Sequence, residues 1–164
     1  MRIQCRPLFM GEAECLPIDT ELDFSSLEFQ GGRPFVDPIY VVGDIRVRAG
    51  VVQLSARAIF VFHGQCDRCL TPYTKAYDIP MEHTLVTTLE NEENDDYLLL
   101  EQYCLDLFDT VQADILLELP YKTLCREDCR GLCTLCGKNL NEGLCGCNHK
   151  SVDPRLAVLG QLLD

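Results

Sequence analysis

The sequence predicts an α+β fold: an antiparallel β-sheet meander or partly open barrel with one packed helix, then a cysteine-rich limb and a short C-terminal helix. Three observations predict it. Between Ile39 and His63, apolar and polar residues alternate in two runs broken at Ala49-Gly50. Phe108, Val111, Ile115 and Leu119 recur at helical spacing. Six of the eleven cysteines fall between Cys125 and Cys147, among glycines and polar residues. A chain of 164 residues that is 47% hydrophobic can bury one ordinary core. The expected organisation is therefore one compact unit: a sheet-and-helix core over 1–120, a cysteine-rich segment over 121–150 and a terminal helix over 151–164.

The elements follow in order. Arg2 to Leu8 suits an edge strand that Pro7 would limit. Asp23 to Phe29 reads as a short element closed by a turn at Gly31-Gly32; the rest of Gln4 to Phe35 follows no clear pattern. Ile39, Val41, Ile45 and Val47 share one face of a strand, and Leu54, Ala56, Ala58, Phe60 and Phe62 share one face of the next, which makes a long hairpin. Thr74 to Asp78 and Met81 to Leu89 resume the strand pattern, with Pro80 marking a bulge or an edge. The acidic run 90–96 reads as a solvated loop. Tyr97 to Tyr103 reads as a strand. In the helix that follows, Asp106 is the N-cap, Asp109 lies in the first turn and Pro120 ends the element. Asp153 and Pro154 open the closing helix, with Leu156, Leu159 and Leu163 as its stripe.

The cysteines carry the chemistry. Thiolates this close repel one another unless a cation or a disulfide holds them. No run of about 18 apolar residues is present and the N-terminus lacks a signal-peptide pattern. A cytoplasmic location is expected, where thiols stay reduced and C-x-x-C pairs serve metals or redox chemistry. Cys133-Thr134-Leu135-Cys136-Gly137 has the form of a zinc knuckle: two sulfurs on one ion, with a glycine where the turn needs positive φ. Cys133, Cys136, Cys145 and Cys147 are therefore assigned to one zinc. Cys66 and Cys69 lack two ligands, as do Cys125 and Cys129, and together they make a second set of four. The alternative is a single zinc with ligands drawn differently from the six downstream cysteines, and His149 could replace Cys147. Cys5, Cys15 and Cys104 read as ordinary buried or half-buried thiols.

A net charge of −12 disfavours non-specific nucleic-acid binding, which needs a basic face. Any RNA or protein partner would meet a restricted surface, for which Arg126, Arg130, Lys138, Lys150 and Arg155 are the cationic candidates. No catalytic residue is expected. The three histidines are scattered, no phosphate loop, dinucleotide fingerprint or nucleophile elbow is present, and an all-cysteine metal site has no open position. A thiol-disulfide oxidoreductase or redox sensor is the competing reading. It fits poorly because Pro72 interrupts the helix that should follow Cys66-Asp67-Arg68-Cys69.

The strings Cys66-Asp67-Arg68-Cys69-Leu70, Gly131-Leu132-Cys133, Cys136-Gly137-Lys138-Asn139-Leu140-Asn141 and the closing Asp153-Pro154-Arg155-Leu156 resemble the YceD family, the large ribosomal RNA subunit accumulation proteins. The resemblance covers most of the chain beyond its N-terminal third. It implies a non-enzymatic factor in large-subunit ribosome biogenesis, needed for accumulation of the large-subunit ribosomal RNA and partnered by assembly proteins or that RNA. It carries over no catalytic residue and only the cysteines as site residues.

Overall fold

The computed structural model describes residues 1–88 and 97–148, in two units. The first comprises Met1–Gly64 and Pro72–Lys122; the second joins Gln65–Thr71 to the chain from Thr123 onward. The expected C-terminal helix and acidic run, with His149, Lys150 and Arg155, lie outside the described residues.

The first unit is α+β. Strands β1 (Arg2–Gln4), β2 (Cys15–Leu22), β3 (Ile39–Arg48), β4 (Val51–Gln65), β5 (Pro72–Val86), β6 (Tyr97–Leu99) and β7 (Cys104–Asp106) accompany helices α1 (Arg6–Phe9) and α2 (Leu107–Glu118). Five strands form a mixed sheet in the order β2-β3-β4-β5-β6, and β1 pairs with β7. The long hairpin forms as expected. Arg48 pairs with Val51 across Ala49-Gly50, whose φ values of 51° and 81° make the two-residue turn that matches strand twist. Its inward face, Val52 to Phe62 on β4 and Ile39, Val41 and Ile45 on β3, is buried. At Gly43, β3 and β4 approach so closely that a Cβ would lie 2.3 Å from the Ser55 carbonyl oxygen. Only glycine permits that approach.

Phe24, Phe29, Phe35, Phe60, Phe62, Tyr73, Tyr77 and Phe108 form a connected set of ring contacts in and against the core. Phe35 meets Phe60 and Phe62 edge-on at 5.6 and 6.0 Å, and Phe60 stacks on Tyr77 at 5.4 Å. α2 closes the core with Leu107, Val111 and Ile115 buried. Its N-cap is Asp106, whose carboxylate accepts the Phe108 N–H at 3.2 Å. Leu119 is already extended because Pro120 follows it. Phe108, half-buried, stacks on Phe24 at 4.2 Å, and Asp114 meets His83 of β5 at 2.7 Å.

Several expectations are corrected. Pro7 lies in the first turn of α1, so the first strand stops at Gln4. β2 emerges from the stretch without a clear pattern; among the described residues it pairs only with β3, and Pro17 is tolerated on that edge. β5 runs unbroken through Pro80. Its pairing with β6 is confined to Thr84–Val86 and does not reach Pro80. Of the expected Tyr97–Tyr103 strand only Tyr97–Leu99 forms; the chain turns at Gln102 and Tyr103, both at positive φ, and a separate strand begins at Cys104. β6 runs parallel to β5, so the meander ends at β5.

Candidate metal centres

In the second unit the chain builds two turns of one design. Cys66 N–H donates to the Thr71 carbonyl at 3.0 Å, and Leu70 N–H donates back to the Cys66 carbonyl at 2.8 Å. Cys133 N–H donates to the Lys138 carbonyl at 2.8 Å, and Gly137 N–H donates back to the Cys133 carbonyl at 2.9 Å. The residue after each C-x-x-C has positive φ, 57° at Leu70 and 74° at Gly137. Glycine meets that demand without cost and leucine does not. The sequence signal for a knuckle is therefore clear at Gly137 and concealed at Leu70.

Each knuckle is completed by a second cysteine pair. The sulfurs of Cys66, Cys69, Cys125 and Cys129 lie within 4.8 Å of one another, as do those of Cys133, Cys136, Cys145 and Cys147. The six downstream cysteines thus divide between two clusters and do not converge on one. Cys66 and Cys129 sulfurs are 3.7 Å apart, and Cys69 and Cys125 sulfurs 3.6 Å. A tetrahedral ion with sulfur at about 2.3 Å sets its ligands about 3.8 Å apart, so the donor set and its spacing suit such an ion. Cys66, Cys69, Cys129 and Cys133 are buried, Cys125, Cys145 and Cys147 half-buried, and Cys136 exposed.

The thiols in each cluster are unequal. Burial alone would push the Cys66 thiol up, but backbone N–H groups of Cys125, Cys69 and Arg68 outweigh it and bring it down to about 6. The N–H groups of Cys136 and Leu135 lower Cys133 to about 6, and the Thr71 hydroxyl and N–H lower Cys69. Burial and the sulfurs of Cys69, Cys66 and Cys129 push Cys125 up to about 12. Cys147 rises to about 12 through Cys136, burial and Cys145. The first cluster thus favours ionisation at Cys66 and Cys69 and resists it at Cys125, and the second favours it at Cys133 and resists it at Cys147. A cation at the centre removes that resistance, since it neutralises the mutual repulsion of the thiolates.

Other side chains lock the segments together. Asp67 accepts the Thr123 N–H at 2.7 Å and returns its own N–H to the Thr123 carbonyl at 2.9 Å. Arg68 donates to the Cys129 carbonyl at 2.8 Å, and its own carbonyl accepts the Leu132 N–H at 3.0 Å. Asn139 and Asn141, which as a sequence only suited a turn, hydrogen-bond to the Thr71 hydroxyl and the Cys129 sulfur respectively. Of the cationic candidates, Arg126 pairs with Asp128 at 3.3 Å and donates to Asn141 at 2.7 Å, while Lys138 donates to the Leu144 carbonyl at 3.2 Å. Arg126, Arg130 and Lys138 are all exposed. The lone thiols belong to the first unit. Cys5 is fully buried, and burial pushes its thiol up to about 11; Cys104 is half-buried; Cys15 is exposed on the edge strand β2, contrary to expectation. Pro72 opens β5, so no helix follows Cys69 to lower a redox thiol by its dipole.

No helix among the described residues is long and apolar enough to cross a membrane. The chain is 33% identical to the uncharacterized protein Rv2926c of Mycobacterium tuberculosis over 104 residues, 61% of this chain and 50% of the relative. It is 33% identical to the uncharacterized protein ML1660 of Mycobacterium leprae over 110 residues, 60% of this chain and 47% of the relative. The chain thus spans about half the length of these curated relatives. No solved structure matches it significantly. The profile of the large ribosomal RNA subunit accumulation protein YceD matches residues 54–163, which include both clusters. The chain belongs to the YceD family.

Proposed function

We propose that this protein is a non-enzymatic zinc-binding factor that supports accumulation of the large-subunit ribosomal RNA during ribosome biogenesis in the cytoplasm. The observation that carries the reading is the pair of four-sulfur clusters inside the part of the chain that matches the YceD family. Cys66, Cys69, Cys125 and Cys129 would hold one zinc, and Cys133, Cys136, Cys145 and Cys147 a second. Four thiolates fill a tetrahedral shell and leave no position for substrate or water, so the metal serves architecture. The segment from Gly131 to Asn148 has few apolar side chains to bury, and zinc binding of about 10–16 kcal/mol in finger-like peptides is ample to order it.

The partners are components of the assembling large subunit, met through a restricted surface. The overall charge of −12 repels RNA over most of the protein, whereas Arg126, Arg130 and Lys138 are exposed cations within the second unit. The test is depletion in the source cell followed by sedimentation of ribosomal subunits and complementation. Wild type is expected to restore large-subunit RNA, and Cys133→Ser to fail. Normal large-subunit RNA in the depleted cell refutes the role; full rescue by Cys133→Ser and by Cys66→Ser refutes the need for metal. Recovery of RNA and protein from one pull-down, with Arg126, Arg130 and Lys138 changed to alanine, separates direct RNA contact from a protein intermediary.

A further inference from the structure

The loop between Cys136 and Cys145 belongs to one cluster by sequence, yet its two asparagines reach the other. Asn141 Nδ2 donates to the Cys129 sulfur at 3.2 Å. Its amide has only one orientation that satisfies the surroundings. Asn141 Oδ1 accepts the Arg130 backbone N–H at 2.8 Å and the Arg126 guanidinium at 2.7 Å. Both neighbours are donors, so the oxygen must face them and the NH2 must face the sulfur. Asn139 Oδ1 fixes the same side chain from below, accepting Asn141 Nδ2 at 2.9 Å and the Asn141 backbone N–H at 3.0 Å. A second route runs beside the first. Asn139 Nδ2 donates to the Thr71 hydroxyl at 3.5 Å, and that hydroxyl lies 3.3 Å from the Cys69 sulfur.

Both asparagines are held in place by the second knuckle. The bridge between Leu132 and Asn139 and the bond from Leu140 N–H to the Gly131 carbonyl, 2.9 Å, set the loop against the strand-like segment leading into Cys133. An ion that gathers Cys133, Cys136, Cys145 and Cys147 closes both ends of this loop. Closing it holds Asn141 at the Cys129 sulfur, and an N–H donor lowers the energy of a thiolate ligand.

We propose that Asn141 is a positioning residue that couples the two clusters: carried on the loop of the Cys133–Cys147 cluster, it stabilises the Cys129 thiolate of the other and makes metal loading cooperative. The inference rests on the two-metal reading above. Linkage requires the effect to be reciprocal, so an ion among Cys66, Cys69, Cys125 and Cys129 also favours loading of the second cluster.

The test uses the full chain loaded with cadmium-113 under reducing conditions, where each four-sulfur site gives its own NMR resonance. Cys66→Ser/Cys69→Ser and Cys133→Ser/Cys136→Ser assign the two signals. In Asn141→Ala the resonance of the Cys66 cluster is expected to shift, because its thiolate has lost an N–H donor. A competing chelator should strip that site at a roughly 10- to 100-fold lower concentration, the usual cost of removing a partner of a metal ligand. Cys133→Ser/Cys136→Ser should weaken the same site by a similar factor, and adding Asn141→Ala to it should cost nothing more. Asn141→Ser, too short to reach the sulfur, gives the same readout should the alanine variant be insoluble. An unmoved resonance with an unchanged chelator midpoint in the Asn141 variant overturns the proposal. So does wild-type affinity at the Cys66 cluster when the other is disabled. Fewer than two cadmium signals from wild type overturns the two-metal reading itself, a result distinct from either.

Discussion

Gly131→Ala probes how the two segments of the second unit are joined. Gly131 has φ of +75°, and a Cβ there would lie 3.0 Å from the Arg68 carbonyl oxygen. Placing alanine in the left-handed region costs about 1–2 kcal/mol. The same carbonyl accepts the Leu132 N–H at 3.0 Å, so a retreat of Arg68 to ordinary contact lengthens that bond. A hydrogen bond of this kind contributes about 0.5–1.5 kcal/mol net, of which part is lost. The total is roughly 2–3 kcal/mol. Arg68 lies between Cys66 and Cys69, so if zinc binding orders this unit as proposed, the cost should appear as a roughly 30- to 150-fold loss of zinc affinity at the Cys66 cluster. Competition against a chromophoric chelator in reducing buffer reads it. Gly137→Ala, at φ of +74° with nothing within 4 Å of the added Cβ, should cost only the backbone part, at the other cluster. Gly11→Ala, at φ of +73° in the first unit, should leave both affinities unchanged. Wild-type affinity at both sites in Gly131→Ala would show that neither the positive φ nor the Arg68 carbonyl constrains this position.

Leu70→Gly removes an L residue from positive φ, a strain of about 1–2 kcal/mol, and should match or exceed wild type in thermal stability, since Leu70 is 53% exposed, whereas the β-branched Leu70→Val should be less stable than wild type; a less stable glycine variant contradicts the shared knuckle design. Gly43→Ala pushes a Cβ into the Ser55 and Ala56 backbone and should cost about 1–3 kcal/mol or more, lowering the melting temperature by roughly 3–10 °C; a change below about 1 °C would show that β3 and β4 are not so close. His83 is held above its ordinary pKa by the hydrogen bond to Asp114, so the pair stabilises the fold fully below about pH 6.5 and loses that contribution as pH rises through the raised value. The destabilisation caused by His83→Gln, about 1 kcal/mol at pH 6, should therefore shrink by pH 9; a cost that is constant or grows with pH contradicts the ion pair.

What was legible in the sequence follows from how local the causes are. The β3–β4 hairpin could be read because one face buries a strict alternation, Leu54 to Phe62, and because Ala49-Gly50 suits its turn. α2 could be read from Asp106, Pro120 and its apolar spacing. β2 was hidden by Pro17 and by an alternation with only Ile18 and Leu22 buried, and the parallel placement of β6 depends on tertiary pairing that no local pattern encodes. In the candidate site, both sets of four cysteines could be grouped from C-x-x-C spacing and from counting ligands. The Leu70 knuckle could not be seen because leucine disguises a position that favours glycine. The sulfur contacts of Asn141 and Thr71 were also invisible, since they join residues 12 positions apart or depend on a turn, and both residue types are common in loops.

Each group of four thiolates is proposed to surround one metal ion that serves architecture. The most direct measurement is zinc content with X-ray absorption at the zinc edge, on protein purified under reducing conditions. Two zinc ions per chain are expected, each with four sulfur neighbours at about 2.3 Å and no oxygen. Metal-free protein with these cysteines joined as disulfides, or a zinc shell containing oxygen and an open position, would contradict it.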